Sequence, residues 1–199
     1  RGFARLLGTG NRPDLVFATT WNAARGITGV CGRRGIPLVT VVHGLEITRK
    51  MSGIKTAWMR RTLEMSSAVV AVSRFTAERT AAAGVDSGRI LVVPNGVDPG
   101  FFRPCIDASP VKQRHGAEGV PVLLSLSRLV RRKGHDMVLS ALPAVREAVP
   151  GTRYLICGTG SEEYTEELKG RAAEMGVEDA VVFCGYIPGQ ELPAYYSAC

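Results

Sequence analysis

Short apolar runs alternate with amphipathic segments along most of the chain. The runs in the first half are typical of strands buried on both faces of a parallel sheet, and they cover residues 14–18, 36–42, 68–72 and 89–93. Helical segments are predicted between them, over residues 23–33, 54–65 and 73–83. Ser73 suits a helix N-cap, while Gly35 and Gly84 suit helix ends. This β-α-β-α order predicts a parallel α/β sheet.

The same order starts again after a stretch rich in turn residues. Prolines, glycines and an asparagine cluster from 94 to 104, and residues 105–120 show no periodicity. Strands are then predicted at 122–127, 153–157 and 180–184, each followed by a helix. We therefore expect two domains joined by a linker, with boundaries 1–97, 98–117 and 118–199.

Composition indicates a folded chain. Of the 199 residues, 45% are hydrophobic and 22% charged, a balance that allows a core and argues against disorder. The sequence has neither an apolar run of about 18 residues nor a charged-then-apolar leader, so a cytoplasmic protein is expected. The five cysteines are odd in number and form no C-x-x-C motif, which predicts neither a disulfide nor a zinc site.

Positive charge is concentrated in the first half. Residues 1–100 hold 14 Lys and Arg against 6 Asp and Glu, whereas residues 101–199 hold 11 against 12. Such asymmetry favours an anionic partner, and no nucleic-acid-binding module is evident in the sequence. Basic residues that alternate with large apolar ones predict a peripheral contact with an anionic membrane at the inner membrane face, through Arg49, Lys50, Met51, Lys55, Trp58, Arg60, Arg61 and Met65.

The loop between strand 122–127 and the next helix carries four cations, Arg128, Arg131, Arg132 and Lys133. A helix N-terminus favours anions, and ligands of open α/β sheets bind at the carboxyl ends of the strands. Arg128 and Lys133 are expected to close on one diphosphate, with Arg131 and Arg132 turned to solvent. The alternative is a solvated basic turn with no ligand.

The sequence SLSRLVRRKG around this loop resembles the S/G-R-L-x-x-x-K-G motif of retaining GT-B glycosyltransferases of family 4. Four other segments resemble the same family in the same order, and together they cover nearly the whole chain from Asp14: VVHGLE at 41–46, residues 68–102 with PNGVD, YLICGTGSE at 154–162 and VVFCGYIPGQELPAYYSAC at 181–199.

The resemblance implies two Rossmann-like domains facing a cleft, both incomplete in this chain. It also implies sugar transfer from a nucleotide diphosphate donor to a carbohydrate, lipid-linked or small-molecule acceptor, with retained configuration and with neither a metal nor a cofactor. Arg128, Lys133 and Gly134 would bind the donor diphosphate. Gly158, Gly160, Tyr186 and Ile187 would bind the nucleotide, and His43, with Arg128 and Lys133, would act in catalysis.

Each assignment has a plainer alternative. His43 after a strand is also compatible with a capping or core role, and Gly158-Thr159-Gly160 with a tight turn alone. His115 and His135 are expected to be structural. Two rival functions stay open: a nucleotide-sugar epimerase of the same fold, and a non-catalytic remnant.

The sequence also departs from the family pattern at both ends. The family's pair of glutamates eight residues apart is not found in it, and RGFARLLGTGNRP does not match the family's Gly-rich acceptor loop. We therefore expect this chain to be a fragment without turnover of its own.

Overall fold

The structure is a computed structural model that describes residues 12–199. Residues 1–11, where the predicted first domain begins and which hold most of the segment that does not match the family's acceptor loop, lie outside the described part. The chain divides into a first unit that ends at Gly96 and a second unit, Val97–Cys199. Each unit is a parallel sheet with helices, so the predicted α/β class is confirmed.

The first unit has four parallel strands in the order in which they follow along the chain: β1 (Val16–Ala18), β2 (Leu38–Val42), β3 (Ala68–Ala71) and β4 (Ile90–Val92). Its described helices are α1 (Trp21–Arg25), α2 (Thr28–Arg34), α3 (Leu45–Thr48), α4 (Gly53–Glu64) and α5 (Arg74–Ala82). Because β1 and β2 are parallel neighbours, the residues that follow them emerge at the same edge of the sheet.

The second unit has three parallel strands, again in chain order: β5 (Val122–Leu126), β6 (Arg153–Cys157) and β7 (Val181–Gly185). Its helices are α6 (Ser109–Arg114), α7 (His135–Ala148), α8 (Glu162–Glu174) and α9 (Leu192–Ser197). A turn of 3₁₀ helix, Arg131–Lys133, lies between β5 and α7.

The central strand β6 explains why its sequence is almost uniformly apolar. Tyr154 and Ile156 pack in one buried cluster with Leu139 and Leu142 of α7 and Leu168 of α8. The alternate residues of the strand, Leu155 and Cys157, pack in a second cluster with residues of α6 and α9. Both faces of β6 are therefore covered by helices.

Several predicted ends agree with the structure. The Ser73 hydroxyl accepts a hydrogen bond from the N–H of Thr76 at 3.1 Å and caps α5. Gly35 ends α2 in the left-handed conformation, with φ of 60°. A side chain would be strained there, which accounts for a glycine at this position.

The structure differs from the predictions in three segments. The predicted helix 23–33 is two helices, α1 and α2, separated at Gly26 and Ile27. The short helix α3 follows β2 without having been predicted. The predicted linker 98–117 contains α6, and Val111 of this helix is buried against the second sheet together with Ala108.

Candidate functional site

The basic loop of the second unit connects the end of β5 to the start of α7. It passes through the 3₁₀ turn and ends at Gly134, which has φ of 72° and ψ of 24°. A residue with a side chain is strained in this left-handed conformation, so a glycine fits here. The first amides of α7 follow directly, and such amides together with the helix dipole favour an anion.

The cations of this loop differ in their partners. Arg128, Arg132 and Lys133 are exposed and form no ion pair with any of residues 12–199. Arg131 donates two hydrogen bonds to the Glu167 carboxylate, at 2.8 and 2.6 Å, and lies 5.3 Å from the centre of the Tyr164 ring. The charge of Arg131 is thus already balanced within the protein, whereas Arg128, Arg132 and Lys133 have charge available for a ligand.

Gly158 and Gly160 allow two loops to run in backbone contact. A Cβ atom on Gly158 would lie 1.9 Å from the carbonyl oxygen of Ser127, and one on Gly160 would lie 2.3 Å from that of Leu129. Between them, the N–H of Leu129 donates to the carbonyl oxygen of Thr159 at 2.9 Å. Both glycines therefore have a structural reason to be glycine, whatever they bind.

A cavity of about 320 Å³ opens beside this contact. Four of the residues predicted to bind the donor line it: Arg128, Gly158, Tyr186 and Ile187. Lys133, Gly134 and Gly160 are not among its lining residues. The sequence analysis missed Ser127 and Cys157, which also line the cavity. The available signal was their position, because each lies at the carboxyl end of a strand.

One of the residues that line this cavity carries a buried thiol in the neutral form. Cys157 is fully buried, and its hydrogen bond with the Cys184 thiol together with its burial raises its pKa. The same hydrogen bond lowers the pKa of Cys184. At neutral pH Cys157 is therefore a small uncharged group in the lining of the cavity.

His135 is buried against the start of the basic loop and contacts its polar atoms. Its ring is fully buried, with Nε2 3.3 Å from Ser127 Oγ and 3.4 Å from the carbonyl oxygen of Arg128. The Tyr154 hydroxyl, whose pKa is raised by burial, donates to Ser125 Oγ at 2.8 Å near the same ring. His135 thus has the structural role that the sequence analysis expected.

His43 lies at the carboxyl end of β2 in the first unit and is exposed. Its Nε2 is 2.9 Å from the carbonyl oxygen of Thr19, and its backbone N–H donates to Glu46 Oε1 at 3.0 Å. A carbonyl oxygen only accepts hydrogen bonds, so the Nε2 atom carries the hydrogen in this contact, and in the neutral ring Nδ1 is then an acceptor. The ring is thereby held in one orientation.

A second cavity, of about 430 Å³, lies at the same edge of the first sheet. Its lining includes Trp21 and Trp58 together with the cations Arg25, Arg49, Lys50 and Lys55. The sequence analysis had grouped Trp58 with the last three cations but missed Trp21 and Arg25. Trp21 and Arg25 lie on α1. The sequence offered only Thr20, a residue suited to an N-cap after a strand, as an indication that a helix begins there.

Two further observations concern membranes and metals. None of the helices in residues 12–199 is long and apolar enough to span a bilayer. In the same residues no three His, Cys, Asp or Glu side chains come together as metal ligands. A reaction without a metal or a cofactor remains a prediction, as does the membrane contact.

Comparison with known proteins identifies the family. Residues 1–101 match the profile described as Glycosyltransferase Family 4, and residues 109–199 match the profile described as Glycosyl transferases group 1. A GDP-mannose-dependent alpha-(1-6)-phosphatidylinositol monomannoside mannosyltransferase of Mycolicibacterium smegmatis is 39% identical over 97% of the chain, which spans 50% of that protein. A mannosylfructose-phosphate synthase of Agrobacterium fabrum is 35% identical over 58% of the chain and is covered over 27% of its own length.

Solved structures agree on the fold. The crystal structure of Anabaena HepE in complex with UDP superposes with a TM-score of 0.86 at 24% identity, over 98% of this chain and 54% of that one. The chain thus has the GT-B fold and spans about half the length of the proteins it matches. On its sequence matches and its fold, the chain belongs to the glycosyltransferases of family 4.

Proposed function

We propose that the protein containing this chain transfers a sugar from a nucleotide diphosphate donor to an acceptor, with retention of configuration and without a metal. One observation carries the proposal. Arg128 lines the cavity at the carboxyl edge of the second sheet, and both Arg128 and Lys133 lack an acidic partner among the described residues, while Arg131 has one. Unpaired cations beside a helix N-terminus suit a diphosphate.

The chemistry proposed for these residues is electrostatic. When the bond between the anomeric carbon and the β-phosphate oxygen breaks, negative charge grows on the departing nucleoside diphosphate. Arg128 and Lys133 stabilise that charge, and the first amides of α7 add to it. The acceptor hydroxyl oxygen bonds to the anomeric carbon, and its proton leaves with the nucleoside diphosphate. Protein cations thus stabilise the charge on the leaving group, as a metal ion does in other enzymes.

His43 is proposed to act at the reacting sugar. Its ring is fixed through the Thr19 carbonyl oxygen and presents Nδ1 as an acceptor, which suits a sugar hydroxyl. Gly158, Gly160, Tyr186 and Ile187 are proposed to border the nucleotide. Since the mycobacterial relative is named for GDP-mannose and a phosphatidylinositol-based acceptor, GDP-mannose is the first donor to test and a lipid-linked acceptor the first acceptor.

The test compares substitutions of two nearby cations, Lys133 and Arg131, in the protein that contains this chain. Lys133→Ala is expected to lower the turnover rate by about 100 to 1,000-fold, because it removes a charge that strengthens as the leaving group departs. It should also weaken nucleoside diphosphate binding in calorimetric titration. Arg131→Ala, which removes a cation already paired with Glu167, is the matched control and should change both quantities far less.

Two results would contradict the proposal. If Lys133→Ala binds and transfers like the parent, the loop is a solvated basic turn. If the nucleotide sugar is converted to another nucleotide sugar and no acceptor is modified, the epimerase alternative is correct. Analysis of the products by mass spectrometry and NMR separates these outcomes and also determines whether configuration is retained.

We further propose that the first unit makes a peripheral contact with an anionic membrane. Ile54 and Trp58 of α4 are 65% and 41% exposed, with Lys55 and Arg61 beside them on the same helix. Apolar side chains among cations favour an anionic lipid surface. In co-sedimentation, binding should require anionic vesicles and fall in high salt. Equal binding to neutral vesicles would refute this contact.

A further inference from the structure

Two cysteines lie side by side on neighbouring strands of the second sheet. Cys157 is the last residue of β6, and Cys184 lies one residue before the end of β7. The register pairs Ile156 with Phe183 and Cys157 with Gly185, so Cys184 is an extra residue between the two pairs, as in a β-bulge. Paired strands are about 4.8 Å apart, and a disulfide needs Cα atoms roughly 4.4–6.8 Å apart. The spacing of the two strands is thus compatible with a disulfide.

Both thiols lie on the same face of the sheet. Leu155 and Cys157 of β6 belong to the apolar cluster that Val182 and Cys184 of β7 also join, on the side covered by α6 and α9. The hydrogen bond between the two thiols lowers the pKa of Cys184 and raises that of Cys157. Cys184 is half-buried, whereas Cys157 is fully buried. Cys184 is therefore the thiol that ionises more readily and that a small solute meets first.

An imidazole ring lies beside Cys184. The Nδ1 atom of His115 is 3.9 Å from Cys184 Sγ, and its Nε2 is 2.8 Å from the Tyr195 hydroxyl. Burial and the neighbouring Arg114 lower the pKa of His115, so the ring is neutral at pH 7. The Arg114 guanidinium is itself paired with Glu191 at 2.6 Å. A neutral imidazole next to a thiol favours loss of the thiol proton, and this setting is typical of a reactive cysteine.

The thiol pair is connected to the cavity of about 320 Å³ in the second unit, which is the proposed donor cavity. Cys157 lines this cavity together with Tyr186 and Ile187. These two residues follow Gly185, whose carbonyl oxygen accepts the N–H of Gly158 at 2.7 Å. A covalent bond between the sulfur atoms would bring them closer than a hydrogen bond does and draw the ends of β6 and β7 together. Because packed interiors transmit small shifts, the cavity lining would move with them.

We propose that Cys157 and Cys184 form an oxidation site, at which hydrogen peroxide converts the two thiols to a disulfide and thereby weakens binding in the donor cavity. Formation of the bond does not depend on the proposed transfer function. The consequence for the donor rests on that function, and the two parts are measured separately.

The reaction takes two steps and consumes one peroxide. The Cys184 sulfur attacks a peroxide oxygen, the O–O bond breaks, and a sulfenic acid forms while the thiol proton leaves with the hydroxide as water. The Cys157 sulfur then attacks the Cys184 sulfur, the S–O bond breaks, and the oxygen leaves as a second water with the Cys157 proton. The thiols lose two electrons, which reduce the peroxide. A dithiol such as dithiothreitol reverses the bond by thiol–disulfide exchange.

Peptide mapping after treatment with hydrogen peroxide tests the bond. The chain carries Cys105→Ser and Cys199→Ser, so that these exposed thiols do not link molecules to one another. Mass spectrometry of the monomer should show the peptides of Cys157 and Cys184 joined with the loss of two hydrogen atoms. Dithiothreitol should separate them again.

Two further substitutions in the same background assign the reaction to the pair. Cys184→Ala should leave Cys157 reduced, because a buried thiol with a raised pKa reacts slowly. Cys31→Ala is the matched control, since it removes a buried thiol of the first unit whose pKa is raised by burial. It should leave the link between Cys157 and Cys184 unchanged.

Calorimetric titration with a nucleoside diphosphate tests the consequence, in the protein that contains this chain. The disulfide form should bind about tenfold more weakly than the reduced form, and dithiothreitol should restore the affinity. Peroxide-treated Cys184→Ala should bind like its untreated form, which separates the effect of the bond from other oxidation.

The proposal is overturned if peroxide gives no link between Cys157 and Cys184, or if the linked protein binds the nucleoside diphosphate as tightly as the reduced protein does. A protein that forms the link and binds no nucleoside diphosphate in either form would contradict the proposed function and the effect on the donor. It would leave the oxidation site in place, so the two failures are distinguishable.

Discussion

At the scale of single residues, the role of each side chain is decided by its partners. Arg128 and Arg131 are three positions apart in one loop, yet Arg131 is paired with Glu167 and Arg128 lines a cavity. The motif predicted a basic loop but not this division, because Glu167 is 36 residues away and no local pattern connects the two. The indole N–H of Trp21 is buried and has no hydrogen-bond partner among residues 12–199. The sequence could not predict this, because burial depends on the tertiary fold.

Gly160 gives a sharp test at this scale. In Gly160→Ala the new Cβ would lie 2.3 Å from the carbonyl oxygen of Leu129, so the contact between the two loops must open. We expect a loss of about 1–3 kcal/mol in the free energy of unfolding, as is typical of overpacking. Urea denaturation followed by circular dichroism measures it.

Gly170→Ala is the control for that measurement. Gly170 is exposed within α8, and a Cβ there would meet no atom within 4 Å. Because alanine restricts the unfolded chain and favours helix, this variant should gain about 0.5–1 kcal/mol. A Gly160→Ala protein as stable as the parent would show that the two loops are not in close contact.

At the scale of elements, α6 and α9 are connected through a half-buried histidine. His115, just after α6, has Nε2 2.8 Å from the Tyr195 hydroxyl of α9. Burial lowers the pKa of His115, and the neighbouring Arg114 lowers it further. The folded protein therefore holds this ring neutral at pH values where the same ring in the unfolded chain binds a proton.

This difference predicts how stability depends on pH. The contribution of His115 is fully present above the unfolded pKa of about 6.5 and is lost as the pH falls below it. Between about pH 7.5 and 5, the free energy of unfolding of the parent should fall more than that of His115→Gln. The comparison of the two proteins cancels the other groups that titrate. Parallel pH profiles would mean that His115 gains its proton without loss of stability.

Most elements were predictable from the sequence because parallel strands covered on both faces are continuous apolar runs. The strand predicted at 153–157 coincides with β6, and Ser73 was correctly identified as the N-cap of α5. The break between α1 and α2 was not predictable, because Gly26 keeps a helical conformation and Ile27 has no capping side chain. Helix α6 is six residues long, too short for its single buried Val111 to give a periodicity.

At the scale of the whole molecule, the two units have separate cores. The buried clusters of the first unit involve residues up to Ile90, and those of the second begin at Ala108. Between them, residues 91–101 are exposed throughout. Each unit therefore has the buried apolar residues that a domain needs, and the exposed stretch is available to solvent.

This organisation predicts where a protease cuts first. Val97 is 68% exposed and outside any helix or strand, so thermolysin, which cleaves before large apolar residues, should cut first at Gly96–Val97 among the peptide bonds of residues 12–199. Mass spectrometry of a short digest identifies the site, and Val97→Asp should slow this cut. Early cuts inside β2 or β6 would contradict two independently folded units.

The position of α6 determines how the second unit can be excised or exchanged with that of a relative. A recombinant piece that starts at residue 118, the domain boundary expected from the sequence, lacks Ala108, Val111 and the His115–Tyr195 hydrogen bond. It keeps α9 but leaves part of one apolar face of the sheet uncovered, and it should aggregate on size-exclusion chromatography. A piece that starts at Val97 keeps this cover and should elute as a monomer. Chimeric transferases should therefore be joined before α6, at the exposed stretch.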